Sequence, residues 1–142
     1  MTRQIGNDRR KERRAEQLGA AVEAVAALRE ALFNIRQRKA AGQRDRQLGT
    51  EGSRDTRSEW AKLATARHAR LEVARARLQL FDLEKVTSAF EEAYEALNRY
   101  SQRGGSNTEA LEEAEAAIRR VTEALAQELK YRPENAFTNR NT

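Results

Sequence analysis

Cysteine is absent from the 142-residue chain, and histidine occurs only once, as His68. Without cysteine the chain can form no disulfide, thiolate nucleophile, zinc-thiolate site or iron-sulfur cluster. A single histidine excludes every site that needs two imidazoles, and no Glu-x-x-His spacing surrounds it for a carboxylate-bridged di-iron centre. We therefore predict neither a bound metal nor a cofactor.

Long apolar runs are also missing. No run approaches the roughly 18 consecutive apolar residues that a membrane-spanning helix requires. The first 14 residues lack the apolar middle region of a secretory signal. We therefore expect a cytoplasmic protein with no membrane span.

Charged residues are abundant instead, at 35% of the chain, whereas aromatic residues make up only 6%. Together with a single proline and many alanines, this composition favours helices over sheets, and the length fits one domain. Arginine far outnumbers lysine, which is typical of proteins from GC-rich bacterial genomes. The composition thus predicts an all-α domain of bacterial origin.

The charge is unevenly distributed along the chain. The net charge is +5, but residues 1–81 hold 19 basic and 10 acidic side chains, whereas residues 82–142 hold 8 and 12. Basic and acidic helices could lie against each other and neutralise, or the basic half could face a polyanion. The sequence leaves both interpretations open.

The first helix is predicted from about Asp8 to Ala41, because large apolar residues recur there every three or four positions. Gly42 to Gly52 contains three glycines, which propagate a helix poorly, so a surface loop is expected. The apolar stripe that this helix should bury consists of Leu18, Val22, Val25, Leu28, Leu32 and Ile35.

The second helix is predicted to begin near Thr56 or at Ser53, because Thr56 and Glu59 have the spacing of a capping box. Three further apolar residues, Leu63, Val73 and Leu80, are predicted to widen its buried face toward a second neighbour. The main stripe continues as Trp60, Ala64, Arg67, Leu71, Ala74, Leu78 and Phe81.

Two more helices follow. Asp82 is expected to cap the third, which Gly104 and Gly105 should end, and Ser106 with Glu109 is expected to cap the fourth. The fourth helix should run to about Tyr131, before Pro133. The predicted stripes are Leu83, Val86, Phe90, Ala93, Leu97 and Tyr100 in the third helix, and Leu111, Ala114, Ile118, Val121, Leu125 and Leu129 in the fourth.

Four helices of similar length can share one core, which predicts an antiparallel four-helix bundle with an extended, basic N-terminal helical arm. The arm comprises residues 1–17 and continues into helix one, the bundle residues 18–131, and a polar tail residues 132–142. Because many inward positions are alanine, the core should bury little surface. Either the helices pack closely or a second subunit completes the core.

The sequence shows no catalytic constellation. His68 is expected to pair with Glu72 one helical turn away, and the acidic runs Glu91–Glu95 and Glu112–Glu115 to face water. No glycine-rich phosphate loop or Gly-x-Ser-x-Gly elbow is present. Arg67, Arg70 and Arg77 are expected to pair across the bundle, although they could instead line an anion-binding groove, and Trp60, Tyr94 and Tyr100 are expected to pack in the core.

The densest basic run precedes the first core leucine and forms the candidate polyanion-binding site, called here the arm cluster: Arg9, Arg10, Lys11, Arg13 and Arg14. We therefore expect a non-enzymatic helical interaction module, either a homo-oligomer or a component of a larger assembly. The alternative is a small nucleic-acid-binding accessory protein whose arm cluster contacts phosphates. An enzyme with a site assembled from scattered Arg, Glu and Tyr residues is a third class, which no motif favours.

Overall fold

The computed structural model describes the backbone of residues 2–49, 54–103 and 107–130, and nearly all of the side chains from residue 8 onward in those ranges. The helices are α1 (Thr2–Leu48), α2 (Arg54–Leu80), α3 (Glu84–Gln102) and α4 (Thr108–Lys130), and these ranges contain no strand. The predicted all-α, four-helix fold is therefore confirmed. Within the same ranges, no helix is both long enough and apolar enough to cross a membrane.

Ion pairs and hydrogen bonds between helices show how neighbours are oriented. Glu23 and Glu30 of α1 pair with Arg77 and Arg70 of α2, so residue numbers rise along one helix while they fall along the other. The same opposite order holds between α2 and α3 and between α3 and α4. The contacts that establish it are Arg75–Glu91 with His68–Tyr94, and Arg99–Glu113 with Arg120–Glu92.

The core contains the predicted stripes of α3 and α4 almost unchanged. Every stripe residue of α3 is buried, and Phe90 is wholly inaccessible to solvent. In α4 the stripe is buried from Ala114 to Leu125, but Leu129, near the helix end, is 38% exposed and was wrongly placed inside. Large apolar residues at regular spacing predicted both faces because each helix has one dominant apolar side.

Alanine forms much of the buried face of α1. The inward positions that follow one another at steps of three and four are Ala21, Ala24, Leu28, Ala31 and Ile35. Val22 was predicted to be buried but is 56% exposed, because the buried face of α1 is centred on the alanines rather than on the largest side chains. Since these alanines are buried within a single chain, the helices pack closely, and no second subunit is needed to cover them.

The predicted loop from Gly42 is wrong for its first half. Helix α1 continues through Gly42 to Leu48 and ends at Gly49, whose φ of 66° suits glycine. One glycine inside a helix costs only about 1 kcal/mol, and α2 begins early enough to pack against this extension. The residues between 49 and 54 lie outside the described ranges.

The structure tests the predicted helix caps only in part. Helix α2 begins at Arg54, so Thr56 is its third residue and not its N-cap, whereas the alternative start, Ser53, directly precedes the helix and lies outside the described residues. Asp82 adopts a left-handed φ of 58° in the tight turn, while Leu83 occupies the N-cap of α3 without a side-chain hydrogen bond. At α4 the amide of Ala110 donates to Oδ1 of Asn107 at 3.1 Å, which identifies Asn107 as the cap. The predicted Ser106, the two glycines before it and the tail from Tyr131 lie outside the described residues.

Candidate functional site

The outer face of α2 carries an apolar stripe that, within the described residues, no other helix covers. Val73 and Leu80, its two large members, are 60% and 76% exposed. Because its members follow at steps of three and four, they form a continuous line along the helix, as in the contact face of a coiled coil. We call this line the α2 stripe; it consists of Ala66, Ala69, Val73, Ala76 and Leu80, all of them exposed.

The borders of the α2 stripe are charged. On one side, Arg70 and Arg77 bind Glu30 and Glu23 of α1, which confirms the predicted pairing of these two arginines across the bundle. On the other side lies Glu72, which the fold positions beside α3. The stripe is thus an apolar line between a basic and an acidic border.

A polar network behind Glu72 joins α2 to α3. The Tyr94 hydroxyl donates to Oε1 of Glu72 at 3.1 Å and lies 2.6 Å from Nδ1 of His68. The tautomer of His68 sets whether Nδ1 donates or accepts in this second hydrogen bond. The carboxylate of Glu91, on the next turn of α3, accepts from Nε of Arg75 at 2.5 Å.

The electrostatics of this network follow from burial. Tyr94 is 8% exposed, and burial together with the neighbouring Glu72 carboxylate raises the pKa of its phenol to about 12. The hydrogen bond to Glu91 raises the pKa of Arg75 above its usual value. His68 pairs with Glu72 as predicted, at 4.0 Å, and remains largely exposed. Each polar group of the network has a partner within the chain, which is typical of a structural role.

The acidic runs were expected to face water, but some of their residues form ion pairs between helices. Glu91 is half-buried and binds Arg75, and Glu113 accepts from Arg99 at 2.6 Å. The ion pairs Arg75–Glu91 and Arg14–Glu128 join the basic part of the chain to its acidic part, so partial neutralisation of the two halves does occur. Among the described side chains, no cluster of three acids or histidines could hold a metal ion.

The arm cluster is divided by the structure. Arg9, Arg10, Lys11 and Arg13 are exposed on the first turns of α1. Arg14 instead donates to Oε1 of Glu128 at 2.9 Å and to the Glu128 carbonyl at 2.7 Å. One of the five basic side chains of the arm cluster is therefore bound to the bundle, and the other four face solvent. Whether these bind a polyanion stays a prediction.

Several aromatic and apolar residues lie elsewhere than the sequence predicted. Tyr94 and Tyr100 are buried, as expected, but Trp60 is only half-buried and lines a surface groove. Leu63, Val73 and Leu80 were assigned to a widened core face and are exposed, because α2 buries only a narrow arc on α1 and α3. The α2 stripe was missed for this reason, although its 3-4-3-4 spacing is visible in the sequence.

Comparisons with protein-family models, curated protein sequences and solved structures give no match to this chain.

Proposed function

We propose that this protein is a non-enzymatic helical interaction module that associates with a second copy of itself through the α2 stripe. The observation that carries the proposal is the exposure of Val73 and Leu80 in a line of five apolar residues. In water, large side chains on one helical face are stabilised when another surface covers them. A second α2 stripe has the matching spacing, because a coiled-coil face is complementary to its own copy.

The charged borders favour a parallel arrangement of the two α2 helices. In a parallel coiled coil, the residue just before an a position faces the residue five positions later in the other copy. In the α2 stripe, Val73 is such an a position and Glu72 directly precedes it. Glu72 of one copy would then face Arg77 of the other, with opposite charges. An antiparallel pair would instead bring Arg70 and Arg77 of the two copies together, with like charges.

The association should be modest in strength. Burying the exposed parts of Val73 and Leu80 stabilises the dimer by about 1 to 2 kcal/mol for each side chain. Loss of translational and rotational freedom opposes this gain by at least about 4 kcal/mol. Each copy contributes two such side chains, so the net gain is at most about 4 kcal/mol, which corresponds to a dissociation constant of about 1 mM and not to an obligate dimer.

Sedimentation equilibrium of the full chain, over about 20 µM to 1 mM, tests this proposal. We expect a reversible monomer-dimer equilibrium that a V73E/L80E double variant weakens at least tenfold, about 1.4 kcal/mol. The matched control is V22E/L48E, which places the same charges on a valine and a leucine of α1 that are 56% and 75% exposed.

Circular dichroism must show unchanged helix content in both double variants. A wild-type chain that is monomeric at every concentration contradicts the proposal. Equal weakening by the control variant would contradict the assignment of the contact to α2.

A second function, binding of nucleic acid, rests on a separate observation. Arg9, Arg10, Lys11 and Arg13 are exposed before the point where Arg14 engages Glu128. Arginine and lysine side chains on such an exposed segment can reach phosphates without losing contacts to the bundle. In this alternative the arm contributes sequence-independent electrostatic binding.

A further inference from the structure

A groove of about 550 Å³ lies where the end of α1 packs against the beginning of α2. Three arginines, Arg38, Arg46 and Arg57, and the tryptophan Trp60 line it. One carboxylate, that of Asp45, also lines it. The lining therefore combines an excess of positive charge with one aromatic ring.

Small residues on both helices create the space. Ala41 and Gly42 of α1 and Ala61 and Ala64 of α2 line the groove between the larger side chains. A Cβ atom added at Gly42 would meet nothing within 4 Å. Because these side chains end at or before Cβ, they leave open space between the larger side chains of the arginines and Trp60. The volume lies within the roughly 300 to 1,000 Å³ typical of small-molecule sites.

Other contacts fix the inner end of the groove. Nη2 of Arg38 donates to the Ser101 carbonyl at 3.0 Å and lies 3.1 Å from the Ser101 hydroxyl. This anchoring leaves the other guanidinium nitrogens of Arg38 at a fixed place on the wall. A pre-positioned arginine binds an anion with less loss of side-chain freedom than a mobile one.

Arg67 adds a further positive charge behind this wall. It follows Trp60 and Ala64 on the same face of α2 and is half-buried. Burial lowers the pKa of Arg67, and the positive charge of Arg38 lowers it further. Arg70, Arg75 and Arg77 of α2 each bind a glutamate, whereas within the described residues Arg67 forms no ion pair. An added anion at this end of the groove would relieve the repulsion between Arg38 and Arg67.

We propose that this groove binds a nucleotide, with the base against Trp60 and the phosphates on Arg38, Arg46 and Arg57. Guanidinium groups pair with phosphate oxygens through two parallel hydrogen bonds, and indole rings stack on bases of any sequence. The first turn of α2, which includes Arg57, also presents the positive end of a helix to an anion. The ligand is either a free nucleotide or one unit of a single strand, since both have this chemistry.

The site is separate from the proposed dimer contact. Trp60, Ala64 and Arg67 lie on the inner and groove-facing side of α2, whereas Val73 and Leu80 lie on its outer side. Failure of nucleotide binding would therefore leave self-association unaffected.

Trp60 is the only tryptophan of the chain, so its fluorescence reports directly on the groove. The full chain is titrated with ADP, adenosine, pyrophosphate and a single-stranded oligo(dA), and calorimetry supplies an independent affinity. We expect ADP to change the fluorescence saturably and to bind at least tenfold more tightly than adenosine or pyrophosphate. If oligo(dA) binds at least tenfold more tightly than ADP, a strand is the ligand; otherwise a free nucleotide is.

An R46Q/R57Q variant should weaken ADP binding at least tenfold, because each substitution removes a charge-assisted hydrogen bond to the phosphates. The matched control is R29Q/R119Q, which removes two arginines from a different groove, between α1 and α4, and should leave the affinity unchanged. Circular dichroism checks that both variants keep their helix content.

Three results would overturn the proposal. The first is no fluorescence change and no heat with ADP or oligo(dA) at about 1 mM, the upper end of the range of roughly 1 µM to 1 mM that is typical of KM values for small substrates. The second is pyrophosphate binding as tightly as ADP, which would mean that the base makes no contact. The third is equal weakening of ADP binding by the R29Q/R119Q control.

Discussion

At the scale of single residues, the polar groups between α2 and α3 form a network whose protonation is linked to folding. The Tyr94 phenol donates to Glu72, and its pKa is raised from about 10 to about 12. The folded chain therefore keeps the phenol proton of Tyr94 up to a higher pH than the unfolded chain does. The contribution of this proton to the free energy of unfolding is complete below about pH 10 and is lost as the pH rises toward about 12.

Tyr94→Phe should remove this part of the pH dependence. Between about pH 8 and about pH 11 the wild-type free energy of unfolding should fall by about 1 kcal/mol more than that of the variant. Urea unfolding of both chains at the two pH values measures the difference. Tyr100→Phe serves as the control, because it retains the Tyr94–Glu72 hydrogen bond and should keep that part of the decrease. Equal pH dependence in wild type and Tyr94→Phe would contradict the prediction.

At the scale of secondary-structure elements, the helix ends depend on single residues that the sequence pattern did not identify. Asp82 was expected to cap α3, but it has a positive φ that completes the tight turn, which an aspartate tolerates better than most residues. At the start of α4, the side chain of Asn107 accepts from the amide of Ala110 and caps the helix. Several capping residues stood next to each predicted start, and spacing alone could not decide among them.

Asn107→Ala should destabilise the protein by about 0.5 to 2 kcal/mol, because the amide of Ala110 loses its acceptor at the start of α4. Chemical unfolding followed by circular dichroism measures the loss. Asn98→Ala is the matched control, since Asn98 lies on the exposed side within α3. There alanine should be neutral or slightly stabilising, because it has the higher helix propensity. A loss at Asn98 as large as that at Asn107 would argue against a capping role.

At the scale of the whole molecule, α1 alone has 47 residues, whereas α3 has 19. The exposed bases Arg9, Arg10, Lys11 and Arg13 lie near one end of α1. Near its other end, Arg38 and Arg46 line the groove with Trp60. Helix α1 therefore contributes basic residues to both proposed anion-binding regions, although the groove also takes Arg57 and Trp60 from α2.

If the arm cluster contacts nucleic acid, its affinity should fall steeply with salt and depend little on base sequence. Neutralising about four phosphates of a duplex gives a slope of about −3 to −4 in log affinity against log salt. Fluorescence anisotropy with labelled duplexes of two sequences measures it. A chain lacking residues 2–13 keeps the Arg14–Glu128 pair, and it should fold normally and lose this binding. Tight binding at high salt, or unchanged binding after truncation, would contradict the prediction.

Large apolar residues on single-faced helices predicted the fold class and the buried faces of α3 and α4. For α1 and α2 they were right only in part. Val25, Leu28 and Ile35 of α1 and Leu71, Ala74 and Leu78 of α2 are buried as predicted, whereas Val22, Val73 and Leu80 face solvent. Spacing cannot tell an outer apolar face from an inner one when both have small residues at three- and four-residue steps. The groove was missed because it depends on α1 continuing through Gly42, a residue that locally favours a loop.

The continuity of α1 also has a consequence for the exchange of backbone amide hydrogens with solvent. Amides near Leu28, which is fully buried, exchange only when the bundle itself opens. Amides around Arg10, on exposed turns, can open by fraying from the helix end at almost no cost in free energy. Hydrogen bonds of the same geometry within one helix should thus differ in lifetime by several orders of magnitude, set by tertiary packing rather than by helical structure.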